Sequence, residues 1–551
     1  MARARASGIA ADIKAAFGAH RAGRLDEARD LYRQILRRDP RQPDALYLFG
    51  MLHLAAKRVD EGTALLKRAL AARPNFPAAL FNLGMAFKTQ RQPIEAIEHL
   101  NRAIALEPTM AEAHAYLAEA LLGQGKVAAA EASCDRALLL QPGMAVALTN
   151  LGRVRKAQGR VAEARDAYQR ALAADPSQAD AHSGLGVIFQ TENEPAAAIA
   201  SYRKAIAAQP DHIQAHVNLG INLLLTGEFA EGWTEFEWRL RTDGARREFG
   251  DEPRWAGEPM LGQVLLLRAE QGMGDTIQFC RYVTLAAARS GAEVVLEVQA
   301  PLRRLLADLP GVARAITIGE AVPRFDRWCP LASLPMVFGT TLATIPCAVP
   351  YLFVDPARVA AWRKRLSARG GVVVGLVWAG NPALGLMDQV DRRRSIALAQ
   401  LAPLAGVGGV SFVSLQKGAA AAQAAAPPAG MRLADWTEEL ADFADTAALT
   451  TALDLVISVD TAVAHLAGAL ARPVWLLNRF DPDWRWLLGR NDSPWYPTLR
   501  QFRQPGYGEW DGVVAALRDA LHEFAAGTSS EFIGKPCDPL QSAPAASGAV
   551  R

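Results

Sequence analysis

The sequence predicts two folds in one chain: an α-solenoid of paired helices, followed by an α/β region built on two parallel sheets. Three observations predict this. Prolines recur every 34 residues in the first half, aliphatic runs alternate with helical stretches in the second half, and all 12 tryptophans lie at or after Trp233. The chain of 551 residues is also too long for one hydrophobic core, so several domains are expected.

The 34-residue period appears in three registers of the first half. Small residues let two helices approach closely, a bulky residue fills the gap, and proline ends the second helix. These registers resemble the tetratricopeptide repeat, which implies six full units and a degenerate seventh over residues 9–242. The prolines stand at 40, 74, 108, 142, 176 and 210, the small residues are Gly50, Gly84, Ala118, Gly152, Gly186 and Gly220, and the bulky ones are Tyr32, Leu66, Leu100, Cys134, Tyr168, Tyr202 and Phe236.

Asparagine occupies one position in every second unit, as Asn82, Asn150 and Asn218. An amide side chain both donates and accepts hydrogen bonds, so it can hold a peptide backbone. The resemblance implies that this position faces the groove, as in protein O-linked N-acetylglucosamine transferases, where a ladder of asparagines grips the acceptor polypeptide. The alternative is that Asn-Leu-Gly is a common phrase of the repeat.

The second half is predicted to begin with a connector at 243–261. Continuous aliphatic runs then indicate strands that are buried on both faces, which is typical of parallel sheets covered by helices. They form two Rossmann-like lobes, 262–355 and a donor-binding lobe at 370–505, around a bridging helix at 356–369. This pair of lobes is the GT-B architecture, in which ligands bind beyond the carboxyl ends of the strands. A closing helix is predicted at 506–525, and the Ser/Pro/Ala-rich composition of 526–551 predicts a disordered tail.

The stretch "VLLLRAEQGMGDTIQF" is a strand, a glycine turn and the start of a helix. Gly272 and Gly274 permit close backbone approach, and Asp275 opens the helix. Asp275 either caps that helix by accepting hydrogen bonds from free amides or projects its carboxylate into the cleft as a general base. The spacing is not G-x-G-x-x-G, so a dinucleotide site is not predicted.

The stretch "DLVISVDTAVAHLAGAL" places Asp460 and Thr461 between a buried strand and a helix that carries His465. The start of that helix offers free amides and a positive dipole end, which suit a diphosphate. Asp460 would repel an adjacent phosphate, so we expect it to bind sugar hydroxyls or to order the loop. His465 is either a donor ligand or a core histidine.

Together, "QGMGDTIQF" and "SVDTAVAHLAGAL" resemble the heptosyltransferase-type glycosyltransferases of family 9, in the version fused to tetratricopeptide repeats. The phrases "FDRWCPLASLP", "GLVWAGNP", "SLQKG", "DWRW" and "SPWYPTLRQFRQ" are typical of that fused group. The resemblance extends to about residue 525 and implies an inverting enzyme that uses a nucleotide-sugar with no metal or other cofactor. It assigns the general base to Asp275 and donor contacts to Asp460, Thr461 and His465. Further candidate donor-binding residues are Gly272, Gly274, Trp378, Gly380, Asn381, Gln416 and Lys417.

Two departures from the family pattern leave the donor sugar open, heptose in particular. The loop at 382–393 lacks the histidine that the fused group has, although Arg394 and Ser395 follow it as expected. Ala462 stands where heptosyltransferases often have glycine. Asp-Pro-Asp at 481–483 matches the D-x-D metal motif of the other glycosyltransferase fold, but its proline and its "DWRW" setting favour coincidence.

The repeats suggest that the acceptor is a protein whose Ser or Thr enters the cleft, by analogy with bacterial flagellin glycosyltransferases that join such repeats to such a domain. One alternative is lipopolysaccharide or glycan assembly, with the repeats docking a partner enzyme. The other is an interaction scaffold whose GT-B domain is not catalytic.

Composition narrows the partners and the compartment. The formal charge of +3 gives no reason to expect nucleic-acid binding, and no uncharged apolar run reaches the 18 residues of a membrane span. The basic N-terminus is followed by no apolar run of a signal peptide. Five scattered cysteines without a C-x-x-C pair predict neither a disulfide framework nor a thiolate metal site. These features predict a cytoplasmic protein.

Overall fold

A computed structural model describes residues 2–242, 252–380 and 388–527. The chain divides into two compact units, Met1–Phe189 with Ala200–His212, and Gln190–Ile199 with Ile213–Arg551. Several sequence predictions lie outside the described residues: Asn381 and 382–387 of the altered loop, 243–251 of the connector, and 528–551 of the tail.

Paired helices carry the 34-residue period, as the sequence predicts. Pro43, Pro77, Pro93 and Pro195 each stand at the start of a helix, and most helices of the array span 13 or 14 residues. They are α1 Ala2–Arg21, α2 Leu25–Arg38, α3 Pro43–Ala55, α4 Val59–Ala72, α5 Pro77–Thr89, α6 Pro93–Leu106, α7 Ala111–Gly123, α8 Val127–Leu140, α9 Ala145–Ala157, α10 Val161–Ala174, α11 Ala179–Thr191, α12 Pro195–Ala208, α13 Ile213–Thr226 and α14 Phe229–Phe236.

The small and bulky registers of the repeat meet in space. A Cβ added to Gly152 would lie 2.6 Å from the Tyr168 ring, and one added to Gly186 would lie 2.6 Å from the Tyr202 ring. Both tyrosines are buried. Glycine is therefore required at these positions because an aromatic ring of the following helix packs directly on the backbone.

Replacing Gly152 with alanine is expected to lower the free energy of unfolding by about 1–3 kcal/mol, because Tyr168 would have to leave its place in the core. Thermal unfolding followed by the circular dichroism of the helices measures this. Gly123→Ala is the matched control, since no atom lies within 4 Å of the added Cβ. It should be neutral or stabilise the helix by up to about 1 kcal/mol. Equal melting temperatures for the two variants would contradict the packing argument.

Two parallel sheets form the α/β part of the second unit. The first has the order β3-β2-β1-β4 and the second the order β10-β9-β8-β5-β6-β7. Taken in chain order, the six strands of the second sheet are arranged 3-2-1-4-5-6, as in Rossmann folds, so its topological switch point lies between β5 and β8. The strands are β1 Val264–Arg268, β2 Glu293–Val298, β3 Val312–Thr317, β4 Arg327–Pro330, β5 Val372–Val377, β6 Val410–Ser414, β7 Leu433–Asp435, β8 Leu455–Val459, β9 Val474–Asn478 and β10 Leu499–Arg503.

The strands of each sheet lie within the range predicted for its lobe. The bridging helix, Pro356–Ser367, lies within the predicted 356–369, and the last helix, Asp511–Ala525, within the predicted 506–525. Helices of the second unit after α14 are α15 Met273–Phe279, α16 Val283–Ser290, α17 Arg303–Leu306, α18 Leu334–Val337, α19 Pro356–Ser367, α20 Asp388–Arg394, α21 Phe443–Ala452, α22 Ala462–Ala469 and α23 Asp511–Ala525.

The last helical pair shares the hydrophobic core of the α/β part. Phe229, Trp233 and Phe236 belong to the same buried cluster as the residues of β1. The Trp233 ring meets that of Trp484 edge-on at 5.3 Å, and its Nε1 donates to the Thr340 carbonyl oxygen at 2.9 Å. The compact unit that contains the α/β part therefore also includes α13 and α14, which lie within the range of 9–242 predicted for the repeats. The physical reason is that the α/β part buries the outer face of this pair, as a further repeat would do elsewhere.

Two further expectations concern cysteines and membrane spans. Cys134, Cys280 and Cys329 are free and buried. Among the described residues, no helix combines the length and apolar character needed to cross a membrane.

Candidate functional site

The two loops that the sequence singles out meet at the carboxyl ends of their strands. Helix α15 follows β1, and α22 follows β8. A Cβ added to Gly274 would lie 3.0 Å from Cδ2 of His465 and 3.5 Å from Cα of Ala462. Glycine at 274 thus allows the starts of the two helices to touch, and the chemistry-bearing residues of both lobes converge here.

Asp275 caps its helix and also faces the second lobe. Its Oδ2 accepts a hydrogen bond from the Gly272 backbone N–H at 2.9 Å, while Oδ1 pairs with the Arg485 guanidinium. The side chain keeps 23% of its surface exposed. Burial raises the pKa of this carboxyl, and the positive charge of Arg485 opposes that shift. Each oxygen has a further lone pair, so the carboxylate can still accept a proton from a hydroxyl.

Arg485 connects the two carboxylates of this site, and the sequence did not identify it as a site residue. Its Nη1 donates to Oδ1 of Asp483 at 2.7 Å, and its Nε donates to Oε1 of Gln278 at 2.6 Å. The side chain is 9% exposed. Despite burial, the neighbouring Asp275 and Asp483 raise the pKa of Arg485 above its usual range, so it stays charged. The one feature of the sequence that could have identified Arg485 as a site residue is its position inside the "DWRW" phrase.

His465 occupies an enclosed position beside Asp460. Its Nδ1 is hydrogen-bonded to Oη of Tyr496 at 2.9 Å, and its ring stacks on Trp486 with centroids 5.1 Å apart. Only 4% of the residue is exposed, and Nε2 lies 4.0 Å from Oδ1 of Asp460. Burial lowers the pKa of His465 to about 3, so the ring is neutral. This is the core-histidine alternative, and direct donor contact by this side chain is not what the structure shows.

Asp460 and Thr461 lie where β8 ends and α22 begins, at the switch point of the second sheet. The Thr461 hydroxyl is 3.1 Å from that of Ser458, which orders the turn. The Asp460 carboxylate is 14% exposed, and its backbone oxygen accepts a hydrogen bond from Nη1 of Arg394 at 2.8 Å. Burial and the nearby Asp483 raise the pKa of Asp460. The structure therefore places both residues at the carboxyl end of β8, at the switch point of the second sheet.

Trp378 and Gln416 require a correction, because their side chains are not available to a donor. Trp378 is fully buried in a hydrophobic cluster of the second lobe. Gln416 is 2% exposed, and its Oε1 accepts hydrogen bonds from the backbone N–H groups of Trp378 and Ala379 at 3.0 and 2.8 Å. Both residues hold the turn after β5 in place. Sequence patterning could not distinguish this supporting role from ligand contact.

Gly380 and Lys417 flank the same crevice. The Gly380 N–H donates to the Ser395 hydroxyl at 3.0 Å, and a Cβ on Gly380 would lie 2.3 Å from Oδ1 of Asp391. Glycine is thus required at 380. The exposed Lys417 directs its ammonium to the Thr437 carbonyl oxygen.

The Asp-Pro-Asp segment carries carboxylates that arginines already engage. Asp481 accepts a hydrogen bond from Nη1 of Arg393 at 2.7 Å, and Asp483 is paired with Arg485. Among the described residues, no group of three His, Cys, Asp or Glu side chains is arranged to hold a metal ion. The two carboxylates of the D-x-D match are therefore explained by their ion pairs with arginines.

The three asparagines do not form a row of exposed amides. Asn150 is 3% exposed, and its Nδ2 donates to the Ala115 carbonyl oxygen at 3.0 Å. Asn218 is 9% exposed and accepts a hydrogen bond from Gln214 at 2.8 Å. Only Asn82 is half-buried, with its Nδ2 bound to the Ala78 carbonyl oxygen at 2.8 Å. The expected ladder is therefore wrong for Asn150 and Asn218, because helix packing buries these two amides and the chain itself supplies partners for them.

Arg281 links the lobes, and the sequence did not predict this role. Its Nη1 donates to the carbonyl oxygens of Trp495 and Pro346 at 2.8 and 3.1 Å, and its Nη2 donates to Tyr351 Oη at 3.0 Å. Residue Arg281 is 5% exposed. It therefore ties the segment after α15 to the segment before β10.

Models of the tetratricopeptide repeat match residues 19–83, 81–145, 149–213 and 189–232. They confirm that the first part of the chain is a tetratricopeptide α-solenoid. The chain is also similar to Protein FlbA of Caulobacter vibrioides (strain ATCC 19089 / CIP 103742 / CB 15), with 31% identity over 330 residues. That match covers 55% of this chain and 54% of FlbA, so the chain spans about half the length of this curated relative.

Solved structures with similar helical arrays include a tetratricopeptide repeat protein from Parabacteroides merdae ATCC 43184. It is 15% identical, with a TM-score of 0.39 over 44% of this chain and 97% of that one. The APC/C hetero-tetramer Cut9-Hcn1 is 16% identical, with a TM-score of 0.38 over 42% of this chain and 47% of that one.

Proposed function

We propose that this protein is an inverting, metal-independent glycosyltransferase with a GT-B domain. It would transfer a sugar from a nucleotide-activated donor to a hydroxyl of a protein recruited by the repeats. The observation that carries the proposal is the meeting of the Asp275 turn after β1 with the Asp460 turn after β8. A general base and a Rossmann-type phosphate crevice are thereby adjacent, as transfer between two bound substrates requires.

In the proposed reaction, Asp275 accepts the proton of the acceptor hydroxyl as its oxygen attacks the anomeric carbon. The bond from that carbon to the diphosphate oxygen breaks, and the nucleoside diphosphate leaves with the electron pair. Attack opposite the leaving group inverts the configuration. Burial raises the pKa of Asp275, which makes its carboxylate a stronger base than an exposed aspartate. General-base assistance of this kind contributes about 10²–10⁴-fold in rate.

The donor would lie at the switch point between β5 and β8. The first amides of helix Ala462–Ala469 point out of the carboxyl end of the sheet, where they can stabilise the charge that develops on the departing diphosphate. Asp460, which is partly exposed beside them, would accept hydrogen bonds from the sugar hydroxyls. His465 would support this arrangement from the buried side as a neutral ring.

The protein acceptor is the part of the proposal that depends on the repeats. Tetratricopeptide arrays offer surfaces for polypeptides, and here the last helical pair shares a core with the catalytic part. Because Asn150 and Asn218 are buried, side chains other than these two asparagines would hold the backbone of the acceptor.

Thermal unfolding in the presence of UDP, GDP, ADP, CMP or dTDP tests whether the proposed donor site binds a nucleotide. A ligand at a hundredfold excess over its dissociation constant should add about 2.7 kcal/mol to the free energy of unfolding. One clear stabilising nucleotide is expected, and it names the class of sugar donor to assay. No shift with any nucleotide would contradict the proposal and favour an interaction scaffold with a non-catalytic α/β part.

The affinity for the stabilising nucleotide should show no change between about pH 5 and 8 that is caused by titration of His465. The pKa of this histidine is lowered to about 3, so the ring stays neutral throughout that range. The dissociation constant of the stabilising nucleotide, measured across that range for the unmodified protein and for His465→Gln, checks this. A midpoint near pH 6.5 that disappears in the variant would show that the histidine titrates and is not enclosed.

A further inference from the structure

An arginine fills the switch point of the second sheet. Arg394 ends helix Asp388–Arg394, and its Nη1 donates to the backbone oxygen of Asp460 at 2.8 Å. A Cβ added to Gly380 would lie 2.6 Å from Nε and 2.7 Å from Nη2 of this arginine. The guanidinium therefore lies between the turn after β5 and the end of β8, where Rossmann-type sheets bind phosphates.

A second arginine, Arg479, stands directly after β9, the strand next to β8. Its side chain is 13% exposed, and its Nε lies 3.7 Å from Oδ1 of Asp481, too far for a hydrogen bond. It interacts electrostatically with both Asp460 and Asp483, which places it beside the same crevice. The carboxyl ends of three neighbouring strands thus share two cationic side chains.

Several N–H groups of these guanidiniums have no acceptor among the residues that the structure describes. Nε of Arg394 and both Nε and Nη1 of Arg479 are buried without a hydrogen-bond partner. Folded proteins rarely leave buried donors unsatisfied, because the donor loses its hydrogen bonds to water without replacement. Three unsatisfied donors around one crevice are the pattern expected of a site whose acceptor is a ligand.

The neighbouring carboxylates leave two donors of Arg479 without an acceptor. Asp391 pairs with Arg394, and Asp481 accepts a hydrogen bond from Arg393 at 2.7 Å. Nε of Arg479 lies 3.7 Å from Asp481, and neither Nε nor Nη1 has a hydrogen-bond acceptor among the described residues. Burial also raises the pKa of Asp460, which opposes its negative charge. These donors of Arg479 are therefore available to an anionic ligand.

We propose that Arg479 and Arg394 bind the diphosphate of the donor and of the nucleoside diphosphate product. Planar guanidiniums with several free donors match the oxygens of a diphosphate, and one arginine can serve each phosphate group. The ligand class is thus a nucleoside diphosphate. This inference rests on the proposed function, which supplies the donor, but the anion site stands on the arginines alone.

Isothermal titration of the full chain with inorganic diphosphate, in buffer containing EDTA, tests the site. Arg479→Gln is expected to weaken binding about tenfold to a hundredfold, since it removes charge-assisted hydrogen bonds. Arg394→Gln should weaken binding to a similar extent. Arg479→Lys keeps the positive charge but lacks the planar guanidinium with several donors, so it should weaken binding to an intermediate extent. Arg518→Gln, on the exposed face of the last helix, should bind diphosphate as the unmodified protein does.

Melting temperatures distinguish a ligand site from a structural role. Arg479→Gln should not lower the melting temperature, because Asp481 keeps its hydrogen bond to Arg393. Diphosphate binding that is absent from the unmodified protein, or equal in Arg479→Gln, would overturn the inference. The proposed function would still stand if a nucleotide-sugar were consumed. Conversely, arginine-dependent binding without sugar transfer from any donor would support the anion site and refute the proposed function.

Discussion

Asp275→Asn is expected to abolish sugar transfer, lowering kcat by about 10²–10⁴-fold. The amide has the shape of the carboxylate and can still accept the hydrogen bond from the Gly272 N–H, so the helix remains capped. It cannot accept a proton at neutral pH. The release of nucleoside diphosphate from the donor that stabilises the protein measures the effect.

Asp492→Asn is the control for this substitution. Its side chain is 67% exposed and forms an ion pair with the neighbouring Arg490, so transfer should continue at the unmodified rate. An Asp275→Asn protein with full activity would remove the assigned base from the mechanism. Equal losses in both variants would indicate damage to the fold instead of a chemical role.

Arg485→Met is expected to lower the free energy of unfolding by about 3–5 kcal/mol, because it removes the buried guanidinium that pairs with both Asp275 and Asp483. All 12 tryptophans lie at or after Trp233, so tryptophan fluorescence reports the unfolding of the second unit. Arg490→Met is the control, since its partner Asp492 is mostly exposed. It should change stability by no more than about 0.5 kcal/mol.

The loss of stability caused by Arg485→Met should be larger at neutral pH than in acid. Although burial opposes the shift, Arg485 holds the pKa of Asp483 below its usual value. This pair therefore stabilises the fold above the unfolded-state pKa and ceases to do so as pH falls through the folded-state pKa. The difference in stability between the variant and the unmodified protein should be largest near neutral pH and shrink in acid. A difference that is constant from neutral to acidic pH would contradict the ion-pair account.

Strands with a continuous aliphatic run could be predicted from the sequence, and the short or polar ones could not. The expectation that all of these runs are buried on both faces is wrong for β3, an edge strand that is partly exposed. The aliphatic runs correspond to β1, β2, β3, β5, β6, β8 and β9. The strands that were missed have few consecutive aliphatic residues: β4 reads Arg-Trp-Cys-Pro, β7 has three residues, and β10 carries two arginines and a glutamine. Their places in the sheets depend on hydrogen bonds to neighbouring strands, which patterning does not reveal.

Some residues of the candidate site could likewise be predicted from the sequence, and others could not. Asp275 and Asp460 could be predicted because each follows a continuous apolar strand, and parallel strands end at the same edge of their sheet. Arg485 and Arg281 could not, because their roles come from contacts between segments far apart in the chain. Trp378 was a candidate donor-binding residue within the phrase "GLVWAGNP", whereas its ring packs into the core.

Transfer of labelled sugar to protein tests the central claim most directly. The protein would be incubated with radiolabelled nucleotide-sugars and a protein extract of the source cells, in the presence of EDTA, and compared with Asp275→Asn. The account predicts that one donor labels a discrete protein with the unmodified enzyme and that Asp275→Asn labels none. Absence of labelled protein with every donor, while a nucleotide still binds, would contradict it.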